Sequence, residues 1–227
     1  MRILIVGAMD VEIQFLKSKM DKYVEENKCG FDFFVGKIKN NDVILVKSGI
    51  GKTSAGMLIG VAKSSYDFDY VINVGVAGGI NPLKTGDIVI CDKYIYGDVD
   101  VTVFGDKYKY GQMAGCPRYY QTNIDYSKMI EEGIKVADIC TSDAFTTSYE
   151  HVKYMIDNYF SDLNILCFDM ESTAFAQACY FANVPFLAIR SISDIIGGQA
   201  QAEEYDSNVD ESSIKVNNFL LNIINNL

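Results

Sequence analysis

The 227-residue sequence predicts an α/β fold, a three-layer α/β/α sandwich with a central mixed, mostly parallel sheet. Three observations carry this. Strand-like and helix-like segments alternate for most of the length. Several of the strands are apolar throughout, the mark of strands covered on both faces. No stretch has the composition of a linker: there are only 3 prolines, no low-complexity run and no internal repeat. With 49% hydrophobic residues, the chain has ample material for one core, and one domain over 1–227 is expected.

The elements follow in order. Arg2–Val6 is a continuous apolar strand, too short and too quickly polar in its flanks for a signal peptide. Asp10–Met20 has helical spacing, with Val11, Phe15 and Leu16 among polar residues. Phe31–Lys39 and Asp42–Ser48 are strands joined at Asn40-Asn41, a hairpin signal. Gly51–Ser64 is small and apolar enough for a packed helix. Tyr70–Gly75 is a buried strand, Asp87–Tyr96 a longer one, and Gly97–Tyr120 a loop rich in Gly and Tyr. Ile134–Thr141 and Asn164–Phe168 are strands, each followed by a helix, Tyr149–Tyr159 and Met170–Phe181. Phe186–Ser191 is the last strand and Asp206–Asn225 a final amphipathic helix.

Charge and cysteine usage narrow the partners. A net charge of −10 repels phosphate backbones and anionic membranes, so neither nucleic acid nor a membrane is expected. No apolar run approaches the roughly 18 residues of a membrane span. The 6 cysteines form no C-x-x-C and read as reduced core residues of a cytoplasmic protein. The single histidine, His151, has no ligand cluster around it; no metal and no cofactor are expected.

Two glycine-rich stretches are weak leads. Gly51-Lys52-Thr53 lacks the glycine that a P-loop needs, since that position is Val46, and Lys52 reads as a helix start. Gly75 to Gly79 lacks dinucleotide-loop spacing. It fits either a tight strand-to-loop turn or bare backbone for a ligand to approach. The tyrosines from Tyr94 to Tyr120 suit packing or a dimer surface.

Ligands of such sheets bind beyond the carboxyl ends of the strands. Glu12, Glu171 and Asp194 each follow a predicted strand, and they face one crevice if the sheet is parallel there. Glu12 alone is an ordinary acid near a helix N-terminus. Glu171 precedes a helix that looks buried, so its carboxylate needs partners. Asp194 stands in VPFLAIRSISDIIGG, flanked by Ile192 and Ile195, with Arg190 the nearest opposite charge and one of three arginines in the chain. Burying such charges is costly unless they are paired or used. A structural Arg190–Asp194 pair is one reading. The other is a desolvated acid with raised pKa beside carboxylates that stay ionised, an arrangement suited to splitting glycosyl bonds.

The motifs Gly7-Ala-Met-Asp-Val-Glu12, Lys47-Ser-Gly-Ile-Gly-Lys52, Ala77-Gly-Gly79, Gly86-Asp-Ile-Val89, Asp98-Val-Asp-Val-Thr102, Gly111 to Pro117, Ser142-Asp-Ala-Phe145, Asp169-Met-Glu171 and Arg190-Ser-Ile-Ser-Asp194 stand in an order that resembles the 5′-methylthioadenosine/S-adenosylhomocysteine nucleosidases, of the purine nucleoside phosphorylase-like superfamily. The resemblance runs nearly end to end. It implies hydrolysis of the N-glycosidic bond of 5′-thio-substituted adenosines. By motif, Asp194 would protonate adenine N7 with Ser193 orienting it, and Glu12 would activate water. Glu171 would grip the ribose hydroxyls, and Arg190 would hold the water or the acidic cluster. Phe145 would stack on adenine, the Thr146 backbone would read its edge, and Met170 would pack on the sugar. Asp169 belongs to the same motif, and Met9 and Ile50 would line the pocket. The resemblance also implies a homodimer, with Phe104, Met113 and Pro117 reaching the partner's 5′-substituent pocket.

Some positions depart from the pattern. Val76 stands where the family commonly has a hydroxyl residue. Thr146-Thr147 replaces an apolar-then-Asn pair. Tyr205, one residue late, takes the place of the lid aromatic. A phosphorylase, a futalosine-type nucleosidase or a non-catalytic nucleoside-binding protein on the same fold are the rival readings.

Overall fold

The computed structural model describes residues 1–225; the one-domain reading also takes in 226 and 227, which lie outside the described residues. A sheet of ten strands carries helices on both faces. Its strands are β1 (Arg2–Gly7), β2 (Tyr23–Lys28), β3 (Phe31–Ile38), β4 (Asn41–Lys47), β5 (Tyr70–Gly79), β6 (Ile88–Tyr96), β7 (Tyr120–Gln121), β8 (Ile134–Thr141), β9 (Ile165–Asp169) and β10 (Phe186–Ile195). The helices are α1 (Asp10–Ser18), α2 (Lys52–Ser65), α3 (Tyr149–Tyr159), α4 (Ser172–Ala182) and α5 (Gln201–Ile223). Among the described residues, no helix is long and apolar enough to cross a membrane.

Strand alternation builds the layers. On β1, Leu4 and Val6 face a core shared with α2 and α4. Ile3 and Ile5 face the opposite core, shared with Leu16 of α1 and Val216 and Leu220 of α5. All four are fully buried, which is why β1 is apolar at every position from Ile3 to Val6. α3 packs over the far end of β8 and β9 through Val152 and Met155.

The sheet is mixed. β1 pairs parallel with β4 and β5, β10 with β5, and β8 with β6 and β9. The pairings of β2 with β3, β3 with β4, β10 with β6, β6 with β7 and β5 with β9 are antiparallel. β5 has three partners along its length, so β10, β6, β8, β9 and β5 close into a circuit. The strand Tyr23–Lys28 escaped the sequence reading because it is largely exposed, polar and paired to one neighbour only. The cysteine reading needs correction at Cys29, which is exposed at the β2–β3 turn, and at Cys116, which is half-buried; Cys91, Cys140, Cys167 and Cys179 are buried.

Candidate active site

Three carboxylates converge at the carboxyl ends of β1, β5, β9 and β10, though not by the route the sequence suggested. β9 runs against β5, not along it. Phe168 and Cys167 pair with Gly78 and Gly79, so the two carboxyl ends meet and bring Glu171 beside residues that follow β1 and end β10. Asp194 does not follow its strand. β10 continues to Ile195, and Asp194 pairs with Gly78 after a register shift between Ile192 and Asp194.

That shift also separates Arg190 from Asp194. One inserted residue breaks the two-residue alternation and turns the later side chains to the other face. The Arg190–Asp194 pair therefore does not form. The buried Arg190 guanidinium instead meets Asp169 Oδ2 at 2.8 Å and Ser172 Oγ at 2.6 Å, and contacts Asn73. Arg190 is a support beneath the cleft, not part of its lining. Asp169 lines the cleft, but its oxygens already accept from Arg190, the Thr141 hydroxyl at 2.6 Å and the Ser172 N–H at 2.9 Å.

Glu12 is the third helical residue of α1, and its carboxylate reaches back to the Ala8 and Met9 N–H groups at 2.6 and 3.0 Å. That is one arm of a capping box, as the ordinary reading expects. Its other oxygen accepts from the Val76 N–H at 3.0 Å, across the gap to β5. Gly75 makes this approach possible: a Cβ there would lie 3.0 Å from the Glu12 carboxyl carbon and closer still to Oε1. The Gly75–Gly79 stretch is thus strand, not turn, and its bare backbone makes room for carboxylates. Burial pushes the Glu12 pKa up, opposed by the charge of Arg190 and by the three N–H groups.

Glu171 caps α4 and accepts from the Gly51 N–H at 2.8 Å. Gly51 holds φ at +93°, a conformation few side chains tolerate. Burial and the neighbouring Asp169 push the Glu171 pKa up to about 8. Asp194 is 1% exposed. Ser193 Oγ donates to its Oδ1 at 2.6 Å and Gln201 Nε2 to its Oδ2 at 2.7 Å. Burial raises its pKa, and these two donors oppose the rise.

The cleft and its solvent-open mouth together enclose about 470 Å³. Met9, Glu12, Ile50, Val76, Phe145, Met170, Glu171, Ser193, Asp194 and Tyr205 line it, with Thr146 in the adjoining recess beside Asp194. Tyr205 meets Phe145 edge-to-face at 5.4 Å, and its hydroxyl lies 3.5 Å from Met9 Sδ. None of the lining residues is cationic. Phe104 and Met113 are exposed and do not line this cleft, and Pro117 lines a separate depression with Tyr94 and Tyr180. Sequence reasoning missed Gly75, Gly51 and Gln201. A strand whose glycines oppose an acid six decades of residues earlier in the chain gives no local signal, and Gln201 precedes the point where the final helix was expected to begin.

The family model of the phosphorylase superfamily matches residues 2–225. A 5′-methylthioadenosine/S-adenosylhomocysteine nucleosidase of Bacillus thuringiensis subsp. konkukian is 34% identical, with all of both chains covered. The S. pneumoniae nucleosidase of the same name, solved with the transition-state inhibitor MT-ImmA, superposes with a TM-score of 0.89 at 31% identity over 97% of each chain. The Streptococcus pyogenes S-adenosylhomocysteine nucleosidase, solved with 5-methylthiotubericidin, gives 0.92 at 29% identity, covering 100% of this chain and 97% of that one. This chain belongs to the phosphorylase superfamily and, within it, to the 5′-methylthioadenosine/S-adenosylhomocysteine nucleosidases.

Proposed function

We propose that this protein hydrolyses the N-glycosidic bond of 5′-methylthioadenosine and S-adenosylhomocysteine, releasing adenine and the thioribose. The observation that carries the reading is a cleft lined by four carboxylates, of which Asp169 alone is paired with Arg190, and by no cation. Phosphorolysis needs positive groups for phosphate. Here the nearest guanidinium, Arg190, is buried and committed to Asp169, Ser172 and Asn73.

The roles follow from the environments. Asp194, desolvated beside the recess of Phe145 and Thr146, is the general acid that protonates adenine N7; Ser193 orients its carboxyl. Glu12, fixed by three N–H groups, takes a proton from the attacking water. Its raised pKa brings it toward the working pH of a general base. Glu171 holds the ribose hydroxyls by hydrogen bonds. The proton given to the base and the one taken from water balance, so the net reactant is one water. Phe145 and Tyr205 bracket the adenine end, the Thr146 backbone reads its edge, and Met9, Ile50, Val76 and Met170 line the nucleoside pocket. Arg190 and Asp169 hold the floor in place.

The reading extends to assembly and compartment. The chain works as a homodimer, in which Phe104, Met113 and Pro117 of one protomer border the partner's cleft. The exposure of Val103 and Phe104, 86% and 69%, supports an apolar patch awaiting cover. A cytoplasmic setting suits its unpaired thiols. The cleft draws on residues from Ala8 to Tyr205, which supports a single functional unit. The test is adenine release from 5′-methylthioadenosine by wild type, Asp194→Asn and Glu12→Gln. Both variants should keep the fold and lose turnover by at least about 10²-fold. Near-normal turnover in either removes that residue from its role.

A further inference from the structure

Gln201 opens α5 and yet is 5% exposed. Three of the four hydrogen-bonding directions of its carboxamide are engaged. Oε1 accepts from the Gly197 N–H at 3.1 Å. Nε2 donates to Asp194 Oδ2 at 2.7 Å and to the Thr146 carbonyl at 2.8 Å. One amide orientation alone satisfies these three contacts: turned over, Oε1 would face two acceptors and Nε2 a donor. The carboxamide is therefore locked with its NH₂ group toward the acid. With Ser193 Oγ at the other oxygen, the Asp194 carboxyl is gripped from both sides.

The link is long in sequence and short in space. One nitrogen ties the β10 acid to the loop before α3, and the residue that provides it sits on a third element. A loop and a strand end that together face a base keep their spacing through this contact. We propose that Gln201 is a positioning residue for the reaction, its carboxamide holding the Asp194 carboxyl in register with the Thr146 carbonyl and steadying the carboxyl's ionised form. This inference rests on the reading of Asp194 as the general acid.

Other groups facing Asp194 set the direction of the effect. Ser193 lies on its own strand, Glu204 and Tyr205 on α5, and Gly78 opposite on β5. Burial and the charge of Glu204 favour the protonated carboxyl, whereas Ser193 and Gln201 favour the carboxylate. Removing the Gln201 donor leaves the first pair less opposed. The acid then holds its proton to higher pH, and the alkaline limb of the rate profile moves up.

The experiment compares wild type, Gln201→Met, Gln201→Glu and Asp194→Asn with 5′-methylthioadenosine, recording kcat, KM, the pH profile of kcat and thermal unfolding. Gln201→Met should lower kcat about tenfold, leave KM within about threefold, and raise the alkaline limb by about half a pH unit or more. Gln201→Glu, equal in size, should raise the limb further, because a second carboxylate then faces Asp194; it also reads the effect should the Met variant not fold. An unchanged kcat and limb in a folded variant overturns the proposal. So does a fall in KM with kcat retained, which would make the carboxamide a competitor of the base. Failure of wild type to release adenine, or normal turnover in Asp194→Asn, overturns the reading of Asp194 itself. An inert Gln201 substitution in an enzyme that needs Asp194 overturns this inference alone.

Discussion

Gly75→Ala isolates the placement of Glu12. The backbone at Gly75 is not in the left-handed region, so alanine is allowed there, and in a strand it would ordinarily stabilise by about 0.5–1 kcal/mol. The added methyl, however, falls 3.0 Å from the Glu12 carboxyl carbon and closer still to Oε1, where ordinary contact begins at 3.4 Å. Glu12 cannot yield freely. Its carboxylate is tied to the N–H groups of Ala8, Met9 and Val76, and its own backbone carbonyl accepts from Asn217 Nδ2 at 2.8 Å. The bond to Val76 is the one that must break, since Val76 adjoins the new methyl. Loss of a hydrogen bond to a charged group costs about 1.5–3 kcal/mol, so stability should fall by about 1–2 kcal/mol after the strand gain. A displacement of the carboxylate by about 1 Å should cost about 10²-fold in kcat. The assay is adenine release from 5′-methylthioadenosine, with urea unfolding of the same preparations. Wild-type kcat in a folded Gly75→Ala protein would refute the placement of Glu12 as the group that handles water.

Other expectations follow from the same contacts. Arg190→Met strips the buried Asp169 of its cation and should cost about 3–5 kcal/mol in chemical unfolding; a loss below about 1 kcal/mol would mean the pair carries no weight. Glu171 has a folded pKa of about 8, raised above its ordinary 4.5. Between those values the folded protein binds more protons than the unfolded chain, so this group's contribution to stability declines as pH rises through that window. Glu171→Gln should remove the decline: measured by unfolding, its stability relative to wild type should climb from pH 4.5 to 8, and a flat difference would contradict the shift. Tyr205→Ala removes the edge-to-face contact with Phe145, worth about 0.5–1.5 kcal/mol. KM should rise up to about tenfold with kcat nearly kept, and an unchanged KM would release Tyr205 from the pocket.

How much of this was legible depended on how local each cause is. β8 and α3 were read with their observed bounds. β8 is rich in β-branched and small apolar residues and is buried from Ala137 to Thr141, and α3 opens on Ser148, whose hydroxyl accepts the His151 N–H at 3.2 Å. Glu12 was legible because its role as a cap is set within four residues. β2 was not legible, since YVEENK is mostly exposed and owes its form to pairing with β3. The strand character of Gly75–Gly79 was hidden too. Glycine weakens a strand locally, and only pairing with β10 and β9 holds these residues extended. The partner of Arg190 was misread for the same reason. Along the sequence Asp194 is near, but the register shift after Ile192 depends on β5, and the true partner, Asp169, lies on another strand. The convergence of the three acids was expected from a parallel sheet and arises from an antiparallel meeting of β5 and β9, a matter of topology that no motif records.

Adenine release from 5′-methylthioadenosine in buffers with and without phosphate tests the central claim most directly. A cleft of carboxylates without a free cation should release adenine at the same rate in both, with free methylthioribose as the co-product. Release that requires phosphate, with a sugar phosphate as the co-product, would contradict the hydrolytic reading.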